Sequence, residues 1–199
     1  MTTQRPTPKF TGVDTYIDPK GRFHFRYPSD WHQHALADKR EGTLFSPQAT
    51  NPQTWFAIWV DDLNEHVVAE DLPVLRKGVE QGLSQLPECK VELSTDDVFN
   101  NLIKFERVFS FRHGDVTRKW RQWMLYVDHW LMVITYQGEN PEEYDYWYAM
   151  VNYSFNTFQL PHELWFAVDR DLNGLPHVKE PTADARAATI EQLTGKGKK

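Results

Sequence analysis

The sequence predicts an α+β fold in which a central antiparallel β-sheet is covered by helices on both faces. Strand-like alternation of apolar residues and helix-like spacing of three or four residues both occur in this one chain of 199 residues. Several strands in the second half follow one another through turns too short for parallel crossovers, which predicts an antiparallel meander. One strand is apolar on both faces, which predicts cover on both sides of the sheet.

We expect one folded domain with an arm at each end. Residues 1–13 are polar, contain Pro6 and Pro8, and are predicted to form a flexible, extended N-terminal arm. The folded domain is expected to occupy residues 14–165. Beyond it the hydrophobic pattern fades, so residues 166–199 are predicted to be a C-terminal tail, with a short alanine-rich helix at 182–193 as its one candidate element.

The first half of the domain carries strand patterns. Residues 22–27 alternate, with apolar rings at every second position: Phe23, Phe25 and Tyr27. Short strands are expected around residues 31–36 and 43–46. Residues 54–60 are apolar on both faces and are therefore predicted to form a central strand.

Two helices are predicted from spacing and end signals. Apolar residues recur at helical spacing over 68–86, with Asp71 as the expected N-cap and Pro87 ending the helix. The second helix is expected to start at Asn140, which caps it, and Glu143 is expected to close a capping box.

Between the helices the pattern returns to strands. The expected strands of the meander are 90–94, 103–111, 116–127 and 130–136, joined by turns at 113–115 and 128–129.

Composition excludes several classes of protein. Aromatic residues make up 14% of the chain, which excludes disorder over most of it. The net charge of −6 and the lack of a basic face argue against nucleic-acid binding. The single cysteine, Cys89, excludes an intramolecular disulfide. With neither a signal-peptide pattern nor an apolar run of about 18 residues, we expect a cytoplasmic protein without a transmembrane segment.

The start of the domain resembles PsbP-like domains. These domains open with a tyrosine, a glycine-arginine-phenylalanine run, a tyrosine-proline pair and a tryptophan. The corresponding residues here are Tyr16, Gly21-Arg22-Phe23, Tyr27-Pro28 and Trp31. The order of the following elements, over residues 14–160, is also similar.

The resemblance implies an α/β/α sandwich around a central antiparallel sheet, a fold also seen in the Ran-binding Mog proteins and in chaperones of type VI secretion effectors. It implies an accessory or binding role and brings no catalytic motif. Photosystem, lipoprotein and periplasmic members are exported, whereas this chain is expected to be cytoplasmic, which favours an adaptor or chaperone over a photosynthetic role.

The sequence contains no recognisable set of catalytic residues, so we expect that the protein is not an enzyme and binds no cofactor. Neither a Gly-x-Ser-x-Gly motif nor a glycine-rich phosphate loop is present. Cys89 lies beside Lys90 and could be an activated nucleophile, but a small buried or linker thiol is the favoured interpretation. The adjacent carboxylates Asp61-Asp62 and Asp96-Asp97 would point to opposite faces of a strand.

Two patterns match metal ligands, and a structural role is favoured for both. His32 and His34 would share one face of a strand, but a third ligand, such as His24, His129 or a carboxylate, would have to come from elsewhere. A calcium-loop spacing also occurs in the tail, although Pro176 and the lack of a second loop oppose it; its residues are Asp169, Asp171, Asn173, Gly174 and Glu180.

The functional prediction therefore depends on the high content of aromatic residues, 14% of the chain. Either the covering helices bury all of it, or part of it forms a patch for a protein partner, with Trp120, Trp130, Tyr136, Tyr144 and Tyr148 as the candidate residues. The first hypothesis is a non-enzymatic protein-binding module: an adaptor, assembly factor, chaperone or accessory subunit. The alternative is a small-molecule or metal-binding protein with a pocket between sheet and helix.

Overall fold

A computed structural model describes residues 5–165. The predicted tail (166–199), its helix (182–193) and the calcium-loop residues lie outside the described residues. Within the described range the elements are β1 (Val13–Ile17), β2 (His24–Pro28), β3 (His32–His34), β4 (Gly42–Ser46), β5 (Trp55–Asp62), α1 (Leu72–Ser84), β6 (Lys90–Phe99), β7 (Leu102–His113), β8 (Val116–Val127), β9 (Trp130–Gly138), α2 (Pro141–Asn156) and α3 (His162–Trp165).

Seven strands form the central sheet, and every pairing in it is antiparallel. Their order is β3-β4-β5-β9-β8-β7-β6. β5 lies inside this sheet between β4 and β9, as its two apolar faces predicted. β1 and β2 form a separate two-stranded sheet. The predicted α+β class with an antiparallel sheet is confirmed.

Each face of the sheet is covered by its own hydrophobic core. On one face α2 and the β1–β2 hairpin pack over residues such as Phe56, Ile58 and Ile134. On the other face α1 packs over residues such as Trp59 and Val133. Because side chains alternate along a strand, β5 contributes to both cores, and this explains why residues 55–60 show no polar face.

The two helix starts differ in detail from the predicted caps. Asp71 occupies the N-cap position of α1, but its side chain does not cap that helix; it accepts a hydrogen bond from the Val68 N–H and closes the preceding 3₁₀ turn. Asn140 caps α2 as predicted, accepting from the Glu143 N–H at 2.9 Å. The Glu143 carboxylate does not complete a capping box, because it accepts from Trp147 Nε1 and pairs with Arg5.

The N-terminal segment from Arg5 to Gly12 is extended and contacts α2. The Arg5 guanidinium lies 3.7 Å from the ring centroid of Tyr146, and the Tyr146 hydroxyl donates to the Pro6 carbonyl. Phe10 packs edge-on against Tyr153 at 5.3 Å between ring centroids. The described part of the arm is therefore docked on the outer side of the helix.

Candidate functional site

Three of the five aromatic residues proposed for a partner patch are core residues. Trp120, Tyr136 and Tyr144 are 2%, 0% and 3% exposed. A buried ring cannot contact a partner, so the structure corrects the patch prediction for these three. The sheet has two covered faces, and the rings that alternate onto the second face meet a helix or a neighbouring strand instead of solvent.

The other two aromatic residues remain accessible. Tyr148, on α2, is 41% exposed, and Trp130, the first residue of β9, is half-buried. Trp130 lies between two charged or polar neighbours: the His129 ring, at 4.2 Å between centroids, and the Arg22 guanidinium, at 5.0 Å from the ring centroid. The Tyr148 ring packs against the buried Tyr144 ring at 5.9 Å between centroids, so Tyr148 is the exposed end of a ring cluster that is otherwise buried.

The two edge strands of the central sheet, β3 and β6, differ greatly in length. β3 is three residues long and carries His32, Gln33 and His34. β6 is ten residues long and, among residues 5–165, pairs only with β7. Its exposed apolar side chains are each between 39% and 49% exposed: Val91, Leu93, Val98 and Phe99. A long edge strand with unpaired backbone groups is a template for pairing with another chain.

The apolar side chains of β6 lie on both faces of the sheet. Val98 is opposite Ile103, which belongs to the core under α1, and Phe99 is opposite Leu102, which belongs to the core under α2. Directly opposite residues in an antiparallel pair point to the same face. Both faces of the edge therefore extend the apolar cores outward. The register is irregular only between Val91 and Leu93.

A cluster of two histidines and one aspartate lies at the β8–β9 hairpin. His66 Nδ1 is 2.6 Å from Asp128 Oδ1, and His129 Nδ1 is 3.1 Å from Asp128 Oδ2. Their ligand-type atoms all lie within 4.8 Å of one another. His66 and Asp128 are buried, whereas the His129 side chain is partly exposed.

Backbone hydrogen bonds hold this cluster in place. Asp128 and His129 form the two-residue turn of the hairpin, and Asp128 has a positive φ of 56°, a conformation that aspartate and asparagine tolerate better than most residues. The loop that carries His66 is bound to the turn by hydrogen bonds from the Leu63 N–H to the His129 carbonyl (2.8 Å) and from the Val67 N–H to the Asp128 carbonyl (2.9 Å).

The turn that carries the PsbP-like resemblance lies close to this cluster. The Asp18 carboxylate accepts hydrogen bonds from the backbone N–H groups of Lys20 and Arg22 and from the Arg22 guanidinium. Arg22 also pairs with Glu41 at 2.7 Å and lies over Trp130. Burial opposes ionisation of Asp18, but the hydrogen bonds and charge of Arg22 outweigh it, so the pKa of Asp18 is lowered.

The histidine pair singled out from the sequence is not part of the cluster. Among residues 5–165, His66, Asp128 and His129 form the one group of three metal-ligand residues. His32 is exposed, and His34 Nε2 is 3.1 Å from the Gln48 carbonyl. The sequence prediction includes His129 only as one candidate third ligand for the His32–His34 pair. His66 had no sequence signal, because it stands alone in a loop.

Two residues that the sequence offered for catalysis, Cys89 and Asp61, are affected mainly by burial. Burial raises the pKa of the Cys89 thiol, which opposes an activated nucleophile. Burial also raises the pKa of Asp61, while Arg40 lowers it less. No helix among the described residues is both long and apolar enough to cross a membrane.

No protein family and no curated protein matches the sequence, but solved structures match its fold. The cyanobacterial PsbP protein CyanoP from Synechocystis sp. PCC 6803 superimposes with a TM-score of 0.53 at 12% identity, covering 76% of this chain and 94% of CyanoP. A Pseudomonas aeruginosa protein of unknown function matches with a TM-score of 0.51 at 14% identity, over 75% of this chain and 97% of that protein.

A third similar structure is LpqN, involved in cell envelope biogenesis of Mycobacterium tuberculosis. Its TM-score is 0.50 at 12% identity, and the match covers 75% of this chain and 90% of LpqN. At these identities the comparison establishes architecture and not activity. Together with the seven-stranded antiparallel sheet and its two covered faces, it shows that this chain has the PsbP-like fold.

Proposed function

We propose that this protein is a cytoplasmic, non-enzymatic protein-binding module that acts as an adaptor, assembly factor, chaperone or accessory subunit. The observation that carries the proposal is the exposed edge strand β6. It offers ten residues of backbone for pairing and apolar side chains on both faces of the sheet.

The partner that fits this edge is an extended segment of another protein that adds as an eighth strand. Its backbone would pair with β6, and its apolar side chains would cover Val98 on one face and Phe99 on the other. This mode of recognition derives affinity from backbone hydrogen bonds and specificity from alternate side chains. The solved structures of similar fold include a protein involved in cell envelope biogenesis, which is consistent with an accessory role but does not identify the partner.

The charged surroundings of β6 keep the edge from pairing indiscriminately. Asp96 is held by Arg76 and Arg107, and Asp97 lies 3.5 Å from Lys104 Nζ. Charges on an edge strand are a common protection against aggregation.

The test compares Leu93→Lys, on the edge, with Ile17→Lys, a matched control on the exposed part of β1. Both positions are exposed, so neither change should unfold the protein. Tagged wild-type and variant proteins are cross-linked in cells through a photoreactive residue placed at Phe99. We expect one adduct that forms with the wild type and the Ile17→Lys control and is lost with Leu93→Lys. An adduct that persists in Leu93→Lys, or the lack of any adduct at Phe99, would refute binding at this edge.

A further inference from the structure

We propose that His66, Asp128 and His129 form a binding site for a divalent transition-metal ion such as Zn²⁺. The proposal is independent of binding at β6, because the three residues come from the β8–β9 turn and from the loop after β5. It concerns binding and local stability, and it includes no reaction.

The ligand set has the composition of an open zinc site. Two imidazoles and one carboxylate are a common three-residue set for zinc sites whose fourth position holds water. The ligand atoms of a tetrahedral zinc ion with bonds of about 2.1 Å lie roughly 3.4 Å apart. The two separations between Asp128 and the imidazoles are 2.6 and 3.1 Å, and all the ligand atoms lie within 4.8 Å of one another, so no pair needs to move by more than about 1.4 Å.

A second observation points to an ion at this position. His66 is 2% exposed, and among the described residues neither its Nε2 atom nor Asp128 Oδ1 has a hydrogen-bond partner. Asp128 Oδ1 does have an ion-pair contact, with His66 Nδ1 at 2.6 Å, so His66 Nε2 is the atom of the cluster that lacks a partner of either kind among the described residues. Buried polar atoms without such partners are rare in native proteins, and a bound ion or water is a usual explanation.

The site is also prepared for binding before any ion arrives. Its two segments are joined by the backbone hydrogen bonds from Leu63 to His129 and from Val67 to Asp128. His66 and Asp128 are held in the interior, whereas the His129 side chain is 25% exposed. Less conformational entropy is lost when the ligands are already fixed in this way.

The chemistry of the ligands selects the class of ion. Imidazole nitrogen suits zinc, copper, nickel and iron, whereas magnesium and calcium prefer sites made of oxygen atoms. We therefore expect Zn²⁺ to bind and Mg²⁺ at the same concentration not to bind. Co²⁺ is a useful second probe, since its visible absorption reports the number and geometry of its ligands.

The experiment titrates the full chain with ZnCl₂ by calorimetry. Two variants remove ligands with little disturbance: Asp128→Asn, since asparagine tolerates the positive φ at this turn, and His129→Gln at the partly exposed position. The matched control, His32→Gln/His34→Gln, removes two imidazoles that lie outside the cluster. Circular dichroism verifies that each variant is folded.

We expect one Zn²⁺ per wild-type chain, a loss of affinity of roughly 100-fold or more in both ligand variants, and no change in the control. At a free Zn²⁺ concentration of about 100 times Kd, the wild-type Tm should rise by roughly 5–10 °C, and the Asp128→Asn Tm should not. Unchanged zinc affinity in both ligand variants, or loss of binding in the His32→Gln/His34→Gln control alone, would overturn the proposal. Wild-type protein that binds no zinc would overturn it as well.

Discussion

Removing the Asp18 carboxylate should cost this domain a large part of its stability. Asp18 and Arg22 are 2% and 5% exposed, and the guanidinium donates two hydrogen bonds of 2.8 Å to the carboxylate. Asp18→Ala leaves the Arg22 charge in the interior with Glu41 as its one ionic partner within the described part of the chain. Breaking a buried pair in this way costs about 3–5 kcal/mol, which corresponds to a fall in Tm of roughly 6–20 °C for a chain of this size.

A double-mutant cycle separates the pair from other effects of the substitutions. The four proteins are the wild type, Asp18→Ala, Arg22→Ala and the double variant, each unfolded in urea and followed by tryptophan fluorescence. We expect a coupling energy of about 2 kcal/mol or more, above the range of about 0.2–1 kcal/mol for exposed pairs. The exposed Lys20–Glu41 pair, at 2.9 Å, is the internal reference, so Lys20→Ala should cost less than about 1 kcal/mol.

The stability that the Asp18–Arg22 pair contributes should depend on pH, and the direction of this dependence follows from the pKa of Asp18. Arg22 lowers the pKa of Asp18 in the folded protein against the opposing effect of burial, so the folded pKa lies below the unfolded value of about 3.9. The pair therefore stabilises the wild type above about pH 4, and this contribution is lost as the pH falls through the folded pKa. The stability difference between wild type and Asp18→Asn should shrink at low pH. A coupling energy within the range of exposed pairs, or a difference that grows as the pH falls, would refute the reasoning.

Three further predictions concern Gly138, Tyr136 and Cys89. Gly138→Ala places a methyl carbon 2.4 Å from the Tyr144 backbone nitrogen, which is closer than van der Waals contact, so urea unfolding should show a loss of about 1–3 kcal/mol; unchanged stability would mean that the two backbones separate easily. Tyr136→Phe removes the 2.6 Å hydrogen bond from the buried hydroxyl to the Tyr144 carbonyl and should cost about 1–2 kcal/mol in the same assay, and a neutral result would contradict that bond. Burial raises the pKa of Cys89, so its reaction with a disulfide reagent at pH 8 should be roughly ten-fold slower than that of an exposed cysteine, whereas equal rates would show that the thiol is accessible and unperturbed.

The interior strands and the helices could be predicted from the sequence because their apolar residues recur with a strong strand-like or helix-like period. The predicted strand 116–127 coincides with β8, and the two apolar faces of residues 54–60 correctly placed β5 inside the sheet. Asn140 also capped α2 as expected. These features depend on neighbouring residues along the chain, which is the information that one sequence contains.

The edge strand and the histidine cluster depend on contacts between distant parts of the chain. β6 was predicted to end at residue 94, but it continues to Phe99, because an edge strand exposed on both faces needs no alternating pattern. Asp128 and His129 were recognised as a turn, yet His66 joins them only because β5 and β9 are neighbours in the sheet. Three of the five aromatic candidates for a partner patch are buried for a similar reason: the burial of Tyr144, for example, depends on where α2 lies over β9.

The unequal edges of the sheet set a limit on how this protein can assemble with itself. If two copies met through β6, the same surface of each would be used, and a two-fold axis would close the interface. The combined sheet would then end on both sides in β3, which is only three residues long. Within the described residues no second long edge is left for a third copy, so such pairing ends at a dimer and does not propagate into a fibre.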